Sequence, residues 1–168
     1  MLIFAEGIEK LLRKVCEFFL WCNFLLIFVI VFQVVARYLF NWTWAGLEEL
    51  QWHLFSVAML TGLAYALVED SHVRADILFE KLSKKYQNVV ELLTMLLLVM
   101  PFFGFIFYYS LSFVERAHSV AEVSSAPGGL PYRWLIKAVI PLACTLIILA
   151  AFAKTLRLIS KLRCKDVS

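Results

Sequence analysis

Four long apolar stretches, parted by short polar segments, set the pattern of this chain. They run over residues 18–36, 50–68, 92–114 and 134–153, and hardly a charge lies deep inside any of them. A hydrocarbon core about 30 Å thick takes about 20 helical residues to cross, and each stretch is close to that length. Backbone N–H and C=O groups must be paired internally in lipid, which leaves helices or closed barrels. Barrel strands alternate apolar and polar residues, and the unbroken apolar run from Phe24 to Phe32 does not alternate. The pattern predicts an all-α integral membrane protein, with four transmembrane helices in one domain spanning residues 1–168.

Two further segments show amphipathic spacing. Residues 4–16 set Phe4, Ile8, Leu11, Leu12 and Val15 against Glu6, Glu9, Lys10, Arg13 and Lys14. This segment fits an interfacial helix lying on the membrane surface, and it fits equally well a cytosolic extension of the first span. In residues 76–86, Leu78, Phe79, Leu82 and Tyr86 share one side, with Lys81, Lys84 and Lys85 toward headgroups. That reads as a second interfacial helix.

Composition adds orientation. Hydrophobic residues make up 62% and charged residues 17%, with a mean hydropathy of +0.82. Lys10, Arg13 and Lys14, then Arg74, Lys81, Lys84 and Lys85, then Lys154, Arg157, Lys161, Arg163 and Lys165 fall on one side of a four-span layout. Only Arg37, Arg116, Arg133 and Lys137 fall on the other. Positive charge favours the cytoplasm, so both termini are expected there. The net charge of +3 is then a topological signal and does not point to nucleic acid. The first stretch is too long for a cleaved signal and lacks a small-residue cleavage site, so it reads as a signal anchor. Cys16, Cys22, Cys144 and Cys164 all avoid the outward connections, where a disulfide would form.

The outward connection of residues 37–49 holds Trp42 and Trp44, which suit a membrane interface. Glu48 and Glu49 stand at the mouth of the second span, and Arg37 is the nearest cation to pair with one of them. Ala58, Gly62 and Ala66 form a small-residue stripe that would let another helix approach closely. Pro101 and Gly104 predict a kink in the third span, and Pro141 interrupts the fourth. Residues 115–133 hold Pro127, Gly128, Gly129 and Pro131, turn chemistry that cannot be helical throughout.

Catalytic equipment is absent. Haem would need histidines within the bundle, but His53 lies one turn inside a span and His72 and His118 lie outside. Thiol exchange needs cysteine pairs in outward loops. A proton-coupled exporter needs a carboxylate deep in a span, whereas Glu48, Glu69 and Glu91 stand at span ends. Asn23, Gln33, Ser56, Thr61 and Thr94 are the mid-membrane polar groups, and helix–helix hydrogen bonding explains them at least as well as a substrate path does. No enzyme activity, cofactor or metal is expected. What remains describes a partner subunit or scaffold. The competing readings are a self-contained four-helix exporter or channel acting as a homo-oligomer, and a membrane anchor for a redox enzyme.

Three blocks, in order, carry a family resemblance. They are Arg37-Tyr-Leu-Phe40 with Glu48-Glu-Leu-Gln-Trp-His-Leu-Phe55, then Gly62-Leu-Ala-Tyr65 with His72-Val-Arg-Ala-Asp-Ile77. The third is Glu122-Val-Ser-Ser-Ala-Pro-Gly-Gly-Leu-Pro131 with Trp134-Leu-Ile-Lys137 and Pro141. Over about residues 25–145 the chain resembles the DctQ-like small membrane subunit of tripartite ATP-independent periplasmic (TRAP) transporters. Ala75 departs from the valine expected there, and the fourth span lacks a glutamine near its end. The resemblance implies a bacterial inner-membrane scaffold subunit of a sodium-coupled transporter for organic acids. It implies a permanent large membrane-subunit partner of elevator type and a transient periplasmic substrate-binding protein. In that setting Ala58, Gly62 and Ala66 are candidates for helix packing. Arg37, Glu48, Glu49, His72, Arg74 and Asp76 are candidates for boundary and assembly roles. Arg116, Glu122, Pro127, Gly128, Gly129 and Arg133 are candidates for docking the binding protein.

Overall fold

Polar residues that flank the apolar stretches are themselves good helix formers, so the helices outrun the hydrophobic windows. In the computed structural model, which describes residues 2–69 and 83–165, α1 spans Leu2–Phe40, 39 residues. Its first turns carry Glu6 and Lys10 at i, i+4, a spacing and order that support a helix. The segment 4–16 is thus no separate surface arm. It continues the first span and buries Ala5, Leu12 and Cys16 in the bundle. At 1.5 Å per residue α1 is about 58 Å long, roughly twice the hydrocarbon thickness, so its charged beginning projects beyond the apolar core.

α2 spans Ala45–Val68, which shortens the first connection from the expected residues 37–49 to residues 41–44. Glu48 then falls in the first turn of α2, where the helix dipole favours an acid. Asn41 takes a left-handed conformation, φ 49°, just past the end of α1. Asparagine tolerates that region better than most residues.

The third span is built of α3 (Lys84–Thr94), a π-helical turn (Met95–Val99) and α4 (Met100–Ser119). The irregularity lies before Pro101 because a proline ring clashes with the carbonyl four residues earlier. The chain responds by widening, and the Met100 N–H bonds to the Met95 carbonyl five residues back. Residues 83–86 of the expected second interfacial helix open this span, and residues 76–82 lie outside the described residues. α5 runs Arg133–Lys165 with Pro141 inside it.

α5 packs against α4, α2 and α1. Lipid tails are as apolar as leucine, so membrane helices associate through close packing rather than hydrophobic exclusion. α5 meets this need with Ala143, Ala150, Ala151 and Ala153, each at most 2% exposed. Leu12 and Cys16 of α1, Ala64 and Leu67 of α2, and Met95 join Leu146, Ile147, Ala150 and Ala151 in one core. The beginning of α1 and the end of α5 therefore share one end of the bundle, the terminus end. The connections 41–44 and 120–132 form the other, the loop end.

Four of the five mid-span polar groups are satisfied locally. Asn23 Nδ2 donates to Leu20 O, Ser56 Oγ to Trp52 O, Thr61 Oγ1 to Val57 O and Thr94 Oγ1 to Val90 O. The expected helix–helix bonds are absent for these four. Back-bonding to the preceding turn is the available partner when a neighbouring helix presents only hydrocarbon. Gln33 alone of the five reaches across helices.

Candidate functional site

At the loop end, α1 and α2 are pinned by a polar cluster. Gln33 and Arg37 lie one turn apart on α1 and face Glu48 and Gln51 on α2. Gln33 Nε2 donates to Glu48 Oε1 at 3.0 Å, Arg37 Nη2 donates to the same oxygen at 3.1 Å, and Gln51 Nε2 donates to Gln33 Oε1. Of the two acids offered to Arg37, the first takes it. Gln51 is a member that sequence reasoning missed, although its i, i+3 spacing from Glu48 places both on one face.

Glu49 has a different task. Its Oε2 accepts from the Leu130 N–H at 2.7 Å and its Oε1 accepts from Ser124 Oγ. One carboxylate thus holds both sides of the segment between α4 and α5. That segment begins with a Schellman turn. The Glu122 N–H bonds to Ala117 O at 2.9 Å and the Ala121 N–H to His118 O at 3.0 Å, with Ala121 left-handed at φ 45°. A second turn follows at Ala126-Pro127-Gly128-Gly129. The Gly129 N–H bonds to Ala126 O at 3.0 Å, Pro127 stands at i+1, and Gly128 has φ +74°, the pattern of a type II turn. A Cβ at Gly129 would land on Ser124 and 2.9 Å from Glu49 Oε1. Trp44, expected only as an interface anchor, lies under the turn, 3.4 Å from where a Gly128 Cβ would sit.

Glu122 closes the segment from the far side. It accepts from Lys137 Nζ and lies 3.9 Å from Arg133, while its carbonyl accepts the Arg133 N–H at 3.1 Å. Lys137, 16% exposed, also sits 4.0 Å over the Phe113 ring. Of the candidate docking residues, Glu122, Gly128, Gly129 and Arg133 are therefore engaged in the loop's own fold. Arg116 and Pro127 are exposed. Nearby, Val120, Val123 and Tyr132 are also exposed, at 65%, 62% and 65%.

At the terminus end, three ion pairs join all four spans. Glu9 pairs with Arg157, Arg13 with Glu69 at 2.7 Å, and Glu91 with Lys154 at 2.7 Å. The last pair is largely covered, with side chains 12% and 13% exposed. The carboxylate was expected at a span end, and it is there, but packed among helices. Its partner is 63 positions away in sequence, which no spacing rule reveals.

In the small-residue stripe, Ala58 is buried within the subunit. Gly62 is not in contact there, since a Cβ on it would meet nothing within 4 Å. The buried face of α2 instead follows Leu54, Ala58, Thr61, Ala64 and Leu67. Among the described residues nothing approaches that side of Gly62. His72, Arg74 and Asp76 lie outside the described residues.

The defining sequence pattern of the DctQ component of tripartite ATP-independent periplasmic transporters matches residues 26–161. The chain belongs to that family. A relative from Haemophilus influenzae, described as a TRAP transporter small permease protein, is 28% identical over 128 residues, covering 76% of this chain and 78% of the relative. The chain is therefore a transporter component and not an enzyme. It is a small permease subunit that works in complex with other TRAP components. Its four apolar helices make it a multi-pass membrane protein, in bacteria of the inner membrane.

Proposed function

We propose that this small permease subunit is the static scaffold of a sodium-coupled transporter for organic acids. In this reading it binds a large, moving membrane subunit permanently and helps receive a periplasmic substrate-binding protein at its loop end. The observation that carries it is the state of the mid-span polar groups. Asn23, Ser56, Thr61 and Thr94 each donate to their own helix backbone, so their hydroxyl protons and one amide hydrogen are committed locally and are not held ready for a travelling carboxylate. Meanwhile Phe24, Phe28, Leu97, Phe102 and Phe105 present wide apolar faces, each more than half exposed, that a membrane partner or lipid can cover.

The open side of Gly62 is assigned to the large subunit. Gly62→Leu adds bulk where the described residues leave room, so the isolated subunit should unfold as the wild type does. Recovery of the large subunit with it should fall several-fold, since small residues set how closely membrane helices approach. Equal co-purification by Gly62→Leu and wild type would place this stripe against lipid.

For docking, the charge to reverse is Arg116, which is exposed and outside the ion pairs of the loop. Rim charges act mainly on encounter rate and salt dependence. Arg116→Glu should slow uptake at limiting binding protein and low ionic strength, with the gap closing as salt rises and with both membrane subunits still co-purifying. Identical rates at every salt concentration would remove Arg116 from the docking face.

A further inference from the structure

The polar cluster between α1 and α2 opens sideways, toward the membrane. A cleft of about 370 Å³ is lined there by Gln33, Arg37, Glu48 and Gln51. Directly deeper lies a second, apolar cleft of about 320 Å³, lined by Leu26, Ile30, Gln51, Trp52 and Phe55. Ile30, Gln51 and Trp52 belong to both, so the two form one groove with a charged head and an apolar floor. Neither half is closed by the described residues. Trp52 is 69% exposed, and the side chains of Arg37 and Glu48 are 53% and 51% exposed.

Length and charge say what fits. From Leu26 to Arg37 is eleven helical steps, about 16 Å, close to half of a hydrocarbon core of about 30 Å. The groove is therefore one leaflet deep, whereas a partner helix would need a face continuing through both leaflets. Its head presents two opposite charges. Arg37 commits one Nη to Glu48, and a guanidinium carries five N–H groups. Both donors to Glu48 converge on Oε1, which leaves Oε2 as an acceptor. The geometry points to a binding site for one aminophospholipid in the leaflet at the loop end, its phosphate on Arg37, its primary ammonium on Glu48 and an acyl chain along Ile30, Trp52 and Phe55. Arginine suits the phosphate because its planar fork matches phosphate oxygens. A choline headgroup has no N–H to give Glu48, and a glycerol headgroup has no cation.

This site does not depend on the transport reading. The test is native mass spectrometry of the full chain, and of its complex with the large subunit, released from bilayers containing equal amounts of dioleoyl phosphatidylethanolamine, phosphatidylcholine and phosphatidylglycerol. The wild type should retain phosphatidylethanolamine in preference to the other two. Arg37→Gln should cut that retention about tenfold, the scale of one lost charge-assisted hydrogen bond. Ile30→Trp, which fills the apolar half while leaving the ion pair, should remove the same single lipid. Equal retention of the three lipids by the wild type overturns the proposal without recourse to any variant. A preference that survives both substitutions overturns the location. Loss of the lipid whenever the large subunit is bound would make the groove a partner-helix site and overturn it as well.

Discussion

Lys154→Met is expected to lower the stability of this subunit more than any other single change at the terminus end. It leaves the Glu91 carboxylate covered among helices without the cation 2.7 Å away. Breaking a buried ion pair by removing one partner costs on the order of 3 kcal/mol, because the surviving charge stays desolvated. Glu91→Leu combined with Lys154→Met should recover most of that loss, since apolar residues of similar volume replace a buried pair at little cost. Arg13→Ala makes the internal contrast. Its side chain is half exposed and that of Glu69 is 28% exposed, so water reaches this pair more readily than Glu91 and Lys154 and its loss should cost less. The measurement is the unfolding midpoint in detergent for these three variants and the wild type. If Lys154→Met unfolds with the wild type, water reaches this pair freely and it adds nothing to the hold of the terminus end.

Gly129→Leu should have the largest effect at the loop end. The added carbons fall on Ser124 and the Glu49 carboxylate, the two groups that fix the segment between α4 and α5. Overpacking of this kind costs about 1–3 kcal/mol, and here the loop can relieve it by letting go of Glu49. The expected result is rapid amide exchange at Leu130, whose N–H now donates to Glu49, with the membrane helices still protected. Binding-protein-dependent uptake should fall several-fold while the subunits co-purify. Unchanged exchange at Leu130 would show that the carboxylate is not the clasp. Unchanged uptake with an opened loop would separate the clasp from docking.

The spans were legible because their signal is local. Twenty apolar residues in a row and a charge imbalance need no tertiary knowledge, and the Arg37–Glu48 pair lies within one hairpin of helices. Helix ends were less legible, since Glu6, Glu9, Lys10 and Arg13 read as surface residues yet propagate the helix that Leu12 and Cys16 anchor. The irregularity of the third span was expected at Pro101 and Gly104 as a kink, and it lies at Met95–Val99 as a π turn, because proline acts on the carbonyl before it. Long-range pairs were invisible. Glu49 and Leu130 are 81 positions apart, and Glu9 and Arg157 are 148 apart. The main packing face was missed for a simpler reason. Ala143, Ala150, Ala151 and Ala153 do not fall on a regular four-residue repeat, whereas Ala58, Gly62 and Ala66 do.

The central claim is that this chain is a scaffold that enables transport without conducting it. Uptake of radiolabelled organic acids into proteoliposomes, driven by a sodium gradient, tests it in three preparations: this subunit alone, the large subunit alone, and the two together, each with the binding protein outside. The expected result is uptake only from the pair, dependent on the binding protein and on sodium. Uptake by this subunit alone, or uptake by the large subunit that is equally fast without it, would contradict the account.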